Sequence, residues 1–419
     1  TVNSTTVNES AGSATLSLTL SAVSGFTITG TASTVPGTAK AGYDYSSVSV
    51  GATFLPGTTS QTVVVPLTND TYAEATEAFT VALSGVANAT PSAAGALTVV
   101  DDDGPRVEIE PGLPGDYFAL AHTTAGDQTY IQIYNPHSVS VTARVTYIRH
   151  SGQGVRRTYA LAPKQRLGLH VNADAHILPN WPAAAVVQSE DASRPLVAEL
   201  SDYYGAGWSG GEATEGVTPA PSWYFAEGAT GLSVGFDEFF TVFNPTNEPL
   251  TVTLRFYGNS GALLLTKSVS VPAGPGLSQV HINNDLPWSE HSTHVVAQGR
   301  DTAQPRDIVV ERLMRWNGHT EGHRSTGFKQ SHSMWEFAEG GTTSLMVTYL
   351  ALWNPNATAT TVRVFYRHEN GNIYSQDVPV PGMGRAVVGA PSWVPPGGYG
   401  LQMWSLDGQW YVAERMVYG

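Results

Sequence analysis

Cysteine is absent from this 419-residue chain. Its absence excludes disulfides, a thiol nucleophile and any Cys-based zinc site. Charge is scarce too: Asp, Glu, Lys and Arg make up 13% of the residues, with 21 basic side chains against 35 acidic ones. A net charge of -14 argues against nucleic acid as a partner, because phosphate binding needs clustered Lys and Arg. No apolar run reaches the ~18 residues of a membrane-spanning helix, so no transmembrane segment is expected. Phosphate-binding and dinucleotide-binding glycine loops are missing as well. Gly207-Trp208-Ser209-Gly210-Gly211 lacks the strand–helix frame of a nucleophile elbow. No catalytic residues are expected.

What is present is Thr, Ser, Val and Gly, with 43 Gly and 26 Pro, a mixture that suits many short strands joined by turns. The length exceeds one core and implies three or four domains at roughly 100–150 residues each. In residues 1–104 apolar residues alternate: Leu16, Leu18 and Leu20 share one face, as do Phe79, Val81 and Leu83. Turn pairs such as Pro36-Gly37, Pro56-Gly57 and Asn69-Asp70 separate the runs. Such spacing reads as an antiparallel sandwich.

Eight acids fall in this segment against one base, Lys40. They are Glu9, Asp44, Asp70, Glu74, Glu77, Asp101, Asp102 and Asp103, placed beside turns or at strand ends. The consecutive Asp101, Asp102 and Asp103 repel one another unless a cation or solvent relieves them. Hard cations such as Ca²⁺ take six to eight oxygens at ~2.3–2.6 Å, which requires converging carboxylates.

Ordered motifs run through the segment: Val7-Asn8-Glu9-Ser10-Ala11-Gly12, Ala41-Gly42-Tyr43-Asp44-Tyr45, Phe54-Leu55-Pro56-Gly57, Asn69-Asp70 with Glu74 and Glu77-Ala78-Phe79, then the Asp101–Asp103 triplet. With these the segment resembles a Calx-β domain. The resemblance implies a Ca²⁺ cluster at one end of the sandwich, drawn from Glu9, Asp44, Asp70, Glu74, Glu77, Asp101, Asp102 and Asp103. Asn69 stands where an Asp is common, which implies weaker binding or fewer ions.

From residue 105 the chain repeats itself. Tyr117-Phe118-Ala119 recurs as Tyr224-Phe225-Ala226-Glu227-Gly228 and as Glu336-Phe337-Ala338-Glu339-Gly340. Asn135-Pro136 recurs as Asn244-Pro245 and Asn354-Pro355, 109 and 110 residues apart, and a turn Gly follows each by 17 residues at Gly152, Gly261 and Gly371. Each copy closes on a similar strand, Val197-Ala198-Glu199, Val310-Glu311-Arg312 and Ala413-Glu414-Arg415. The copies resemble bacterial surface repeats with a Trp-Tyr-Phe-Ala-Glu-Gly signature, clearest at Trp223 to Gly228; the first departs from it with Leu120 in place of Glu. That resemblance implies no activity. The recurring Glu227, Glu339, Glu311-Arg312 and Glu414-Arg415 are read as fold determinants, buried acids satisfied by backbone N–H groups or an Arg.

His291, His294, His319 and His323 are read as surface residues. Trp223, Trp335 and Trp353 are expected in cores. Trp208, Trp288, Trp316, Trp393, Trp404 and Trp410, near turns, are expected to pack between domains or stack on sugars.

The expected architecture is four tandem antiparallel β-sandwich domains, 1–104, 105–218, 219–331 and 332–419. The expected role is an extracellular structural protein, a cell-surface scaffold or fibre subunit rigidified by calcium, that self-associates into a filament or lattice. In that expectation residues 1–8 or the strand 411–419 pack against another copy. The alternative is an adhesin or carbohydrate-binding module that holds glycans on its loop aromatics.

Overall fold

The computed structural model describes the whole chain except residues 43, 70–75, 102–106, 122–126, 149–153, 175–182, 206, 208–209, 273–274, 301, 344–345 and 419. Strands and turns make up nearly all of it, as the Val, Thr and Gly content requires. The chain divides into two compact units, residues 1–107 with 151–155 and residues 108–150 with 156–419.

The first unit is a sandwich. A five-stranded sheet runs in the order Thr5–Asn8, Gly95–Val100, Glu77–Ala87, Ile28–Val35, Ser49–Phe54, and the strands Ser13–Thr19 and Ser60–Pro66 pair with each other in a second sheet. Leu16, Leu18, Val63, Val65, Phe79, Val81 and Leu97 fill the space between and are at most 2% exposed. Alternation in the sequence therefore reports the inner faces correctly. Among the described strands, Thr5–Asn8 runs parallel to Gly95–Val100 instead of antiparallel. The amino-terminal strand is thus hydrogen-bonded inside its own sheet.

The second unit holds three copies of one wiring. In the first, Gly154–Leu161, Val141–Ile148, Ala184–Ser189 and Gly115–Phe118 form one sheet, and Arg166–His170, Gln128–Tyr134, Val197–Tyr204 and Gly210–Glu215 the other. The second repeats this order with Leu263–Val271, Leu250–Tyr257, Ser292–Gly299 and Ser222–Phe225 over Gly276–His281, Asp237–Asn244, Val309–Trp316 and Glu321–Thr326. In the third, the nine-residue strand Met334–Thr342 pairs at its end with Val347, and this joins the two layers into one seven-stranded sheet. The closing strand Val412–Tyr418 pairs with Val347–Trp353.

The Asn-Pro landmark has a physical cause. Asn135, Asn244 and Asn354 are wholly buried. Each side-chain amide donates to the carbonyl four residues on, of Val139, Glu248 and Thr358, at 2.7–2.9 Å. Each side-chain oxygen accepts the N–H two residues on, of His137, Thr246 and Asn356, at 2.9–3.0 Å. One side chain thus folds the whole turn, which few residue types can do. Gly261 and Gly371, with φ of 89° and 85°, adopt the left-handed conformation expected of turn glycines; Gly152 lies outside the described residues.

Candidate functional site

In the first unit, strand pairing gathers the acids. Asn8 lies opposite Val100 and Glu77 opposite Val99. Glu9 and Asp101 are the next residues beyond that parallel pair, and Glu77 begins the neighbouring strand. Three adjacent strands therefore deliver three carboxylates to one end of the sheet. The Gly12 carbonyl, just past the short helical turn Glu9–Ala11, accepts the Leu67 N–H at 3.0 Å, and Thr68 N–H donates to the Asp44 carbonyl at 3.0 Å. These bonds tie the Asp44 loop to the same end.

Glu9 is 3% exposed and Asp44 8%, while Glu77 and Asp101 are half-buried. Asp44 Oδ2 accepts the Lys40 N–H at 2.5 Å, so the backbone fixes that carboxylate. The Lys40 ammonium donates to the Gly37 carbonyl. The donor set suits a hard cation: every donor is a carboxylate, two of them buried, where negative charge is costly without compensation. Among the described residues, no three His, Cys, Asp or Glu side chains form a metal-holding group. Asp70, Glu74, Asp102 and Asp103 lie outside the described residues.

Residues 1–103 match the Calx-beta domain family. No curated protein matches the chain. Among solved structures, the apo form of the Calx CBD1 domain is 22% identical over 23% of this chain and 89% of its own, with a TM-score of 0.21. The calcium binding domain CBD12 of CALX1.1 is 13% identical over 49% and 81%, with a TM-score of 0.24. A tetra-tandem repeat from the extending region of a large adhesion protein is 13% identical over 100% and 97%, with a TM-score of 0.15. The assignment of the Calx-beta domain rests on the family match.

In the second unit, Glu227, Glu311 and Glu414 are buried at the joints between repeats, whereas Glu339, expected to be buried like them, is exposed. Strand register defines a leading face on each repeat. Leu277, Phe243 and Val309 lie side by side across three strands of the second repeat, and Arg385, Trp353 and Val412 do so in the third. Both rows are buried against the preceding repeat. Phe243, Leu277 and Val309 cluster with Ala119, Ile148 and Val186 of the first repeat, while Trp353 and Val412 cluster with Ala226 and Tyr257 of the second. Ala119 and Ala226 are the same signature position. Ile148 and Tyr257 likewise correspond, each 13 residues after its landmark Asn.

A closing-strand glutamate completes each joint. Glu311 of the second repeat accepts the Ala119 and Leu120 N–H groups of the first, the former at 2.7 Å. Glu414 of the third accepts the Glu227 N–H of the second at 2.5 Å. Arginine neutralises these acids. Arg312, wholly buried, pairs with Glu227 at 2.7 Å and Glu414 at 3.3 Å. At the first joint Arg324 pairs with Asp202 at 3.4 Å and lies 3.7 Å from Glu311, and Arg315 pairs with Asp202 and Glu212 at 3.3 and 3.2 Å. Burial pushes the Glu311 carboxyl up, while Arg324 and the two N–H groups pull it down; the net shift is upward. For Glu227, burial pushes up but Arg312 and His323 outweigh it, holding the carboxyl at about 2. Such a permanent anion is a poor proton acceptor at neutral pH and a good ion-pair partner.

A solvent-open pocket of about 330 Å³ also lies here, lined by Tyr204 of the first repeat, Glu227, Trp316, Glu321 and His323 of the second, and Tyr418 of the third. Here the surface reading of the histidines fails. His291 is wholly buried, 2.7 Å from Glu238, and His294 is half-buried, stacked on Tyr224. His323 faces Glu227 at 3.3 Å; only His319 is exposed. None of them recurs at the matching positions of the other copies, so no periodicity in the chain marks them. Arg324, Asp202 and Glu212 are equally invisible in sequence, because they occur at one joint alone. Trp223 and Trp353 are core residues and Trp335 is half-buried. Trp316 packs on Tyr418 of the third repeat, as expected of a residue between domains.

Proposed function

We propose that the Calx-beta domain binds Ca²⁺ at the sandwich end where Glu9, Asp44, Glu77 and Asp101 gather, with Asp70, Glu74, Asp102 and Asp103 as further ligands. We propose also that the three repeats are an extracellular structural scaffold. What carries the metal reading is the strand pairing, which brings carboxylates from three adjacent strands to one end. Bound there, the cation would neutralise acids that repel one another and brace the loops that bear them. What supports the scaffold reading is that Glu227, Glu311, Arg312 and Glu414 lie in joints, and that the Glu227 carboxylate is locked to Arg312. No helix among the described residues is long and apolar enough to cross a membrane.

Isothermal titration of the full chain with Ca²⁺ tests the first part: saturable uptake is expected, and none after exhaustive removal of divalent ions would overturn it. A glycan adhesin is the second reading. It has the exposed indoles of Trp288, Trp393 and Trp410 behind it, 67%, 60% and 52% accessible, and an aromatic face of this kind stacks well on sugars. Binding on a glycan array, lost on Trp→Ala substitution at these positions, would establish that reading.

A further inference from the structure

The pocket where the three repeats meet has a polar floor whose hydrogen-bonding capacity the joint leaves partly unused. Arg312 and His323 both approach Glu227 Oε2, at 2.7 and 3.3 Å. Among the described residues Glu227 Oε1 has one partner, the Tyr418 hydroxyl at 3.5 Å, a length at which little of a hydrogen bond remains. His323 meets Glu227 and Arg312 through Nδ1, and no described residue takes its Nε2. The imidazole side chain is 35% accessible. An acceptor and a donor thus lie side by side, held in place and with capacity to spare. Such a pair matches two adjacent hydroxyls on a ring, since a hydroxyl both donates and accepts.

Beside this floor, Trp316 and Tyr418 form an aromatic corner, their ring centres 5.8 Å apart and their planes tilted by 59°. The Trp316 indole N–H donates to one oxygen of Glu321 at 2.6 Å, and the Asn317 amide donates to the other at 2.6 Å. The corner is therefore fixed before any ligand arrives, and its rings offer apolar surface to C–H groups. A volume of about 330 Å³ lies at the small end of the ~300–1,000 Å³ usual for ligand pockets. Charge narrows the choice further. Arg312 already neutralises Glu227, so the floor gives a cation little to bind, and the exposed Glu321 carboxylate at the rim disfavours an anion. A neutral, hydroxyl-rich ring fits all of these conditions.

We propose that this pocket binds a neutral saccharide ring. One hydroxyl donates to Glu227 Oε1, its neighbour accepts from His323 Nε2, and the C–H face of the ring lies against Trp316 and Tyr418. Tyr204 closes the wall from the first repeat, its hydroxyl donating to the Gly322 carbonyl at 3.0 Å. The site therefore draws on all three repeats and exists only where they are docked. The ion pair that locks the second joint also presents the acceptor that the sugar uses. The site is separate from the exposed indoles of Trp288, Trp393 and Trp410, and it requires no calcium.

Isothermal titration of the full chain with a panel of neutral methyl hexopyranosides tests this, run in EGTA, with the matching methyl hexuronosides as the charged comparison. Saturable binding of at least one neutral glycoside is expected, about tenfold or more tighter than its uronoside. Thr320 lines the pocket and is exposed. Thr320→Trp fills the mouth and should weaken binding about tenfold or more while the melting temperature stays at the wild-type value. His323→Gln keeps a side-chain N–H donor and should weaken binding less than His323→Leu. A chain with Trp288, Trp393 and Trp410 all replaced by Ala should bind as wild type, which separates this site from the exposed-indole reading. No uptake of any neutral glycoside in the panel, binding unchanged in Thr320→Trp, or a uronoside bound as tightly as its neutral parent would overturn the proposal.

Discussion

Glu414 and Glu227, two acids in different repeats, are joined by a hydrogen bond from the backbone N–H of Glu227 to the carboxylate of Glu414 at 2.5 Å. Two like charges can approach so closely because Arg312 lies between them, pairing with both. Removing one acid leaves the buried guanidinium half-compensated. Breaking a buried pair of this kind costs about 3–5 kcal/mol. Glu414→Ala should therefore lower the unfolding free energy of the repeats, read from denaturant titration, by an amount in that range, and Glu414→Gln, which keeps an acceptor, by less. A Glu414→Ala protein as stable as wild type would show that the joint is held by its apolar cluster alone.

The landmark asparagines make a separate expectation. Asn244 donates to Glu248 and Pro272 carbonyls and accepts from Thr246. Asn244→Ala strips those partners inside a buried turn, and a loss of about 1–3 kcal/mol per orphaned group follows. Asn244→Asp keeps the acceptor and loses the donors, so it should be nearly as damaging. Thermal unfolding of both variants checks this; an undamaged Asn244→Asp protein would mean the amide donors are dispensable.

These residues also show what the chain discloses about itself. The asparagines and closing-strand glutamates recur because each performs one local or nearest-neighbour task in every copy, so a single sequence exposes them. The alternation of Leu16 with Leu18, or Phe79 with Val81, exposes the inner faces by the same logic. Arg324, Asp202 and Glu212 form one joint only, and nothing periodic marks a side chain that answers a single partner. The parallel pairing of Thr5–Asn8 was hidden for a related reason: strand direction is set by the partner, and a four-residue strand reads alike either way. In the candidate metal site, residue type and motif order pointed to the acids. Their common end was implied by the resemblance alone; the register that puts Glu9, Asp101 and Glu77 there comes from the fold.

Two histidines near the second joint should pull in opposite directions with pH. Burial lowers the affinity of His323 for a proton, but the hydrogen bond and charge of Glu227 outweigh it, so its pKa is raised above 6.5. Its contribution is fully present below 6.5 and is lost as pH rises through the raised value. Burial, then Arg255, lowers His294 to about 4, so stability falls as pH drops from 6.5 through about 4. Glu227, held at about 2, adds a loss from 4.5 downward. Calorimetric melting temperatures of His323→Gln and wild type should thus differ most below pH 6.5 and converge as pH rises through the raised pKa of His323. His294→Gln should flatten the decline between 6.5 and 4. A His323→Gln profile parallel to wild type across the alkaline limb would rule out the Glu227 contact as its cause.

Calcium should stabilise the first domain by an amount fixed by occupancy. A ligand bound only to the folded state adds RT ln(1 + [L]/Kd), about 2.7 kcal/mol at one hundred times Kd. For a domain of this size each kcal/mol moves the melting temperature by about 4–8 °C, so chelation should lower the first transition by roughly 10 °C or more. The repeats carry none of the eight acids and should melt unchanged. Glu9→Gln and Asp101→Asn remove one charge each at nearly constant shape and should weaken binding about tenfold or more, while Glu248→Gln in the second repeat should not. Asp44→Asn is the most informative substitution. Its Oδ2 already accepts the Lys40 N–H, so an amide can keep the loop in place while removing the charge. If the loop geometry is what binds, Asp44→Asn should bind almost normally. If charge is what binds, affinity should fall as far as for Asp101→Asn while the calcium-free melting temperature stays at the wild-type value. The second outcome is expected, because a hard cation held by converging carboxylates is held mainly by their charge.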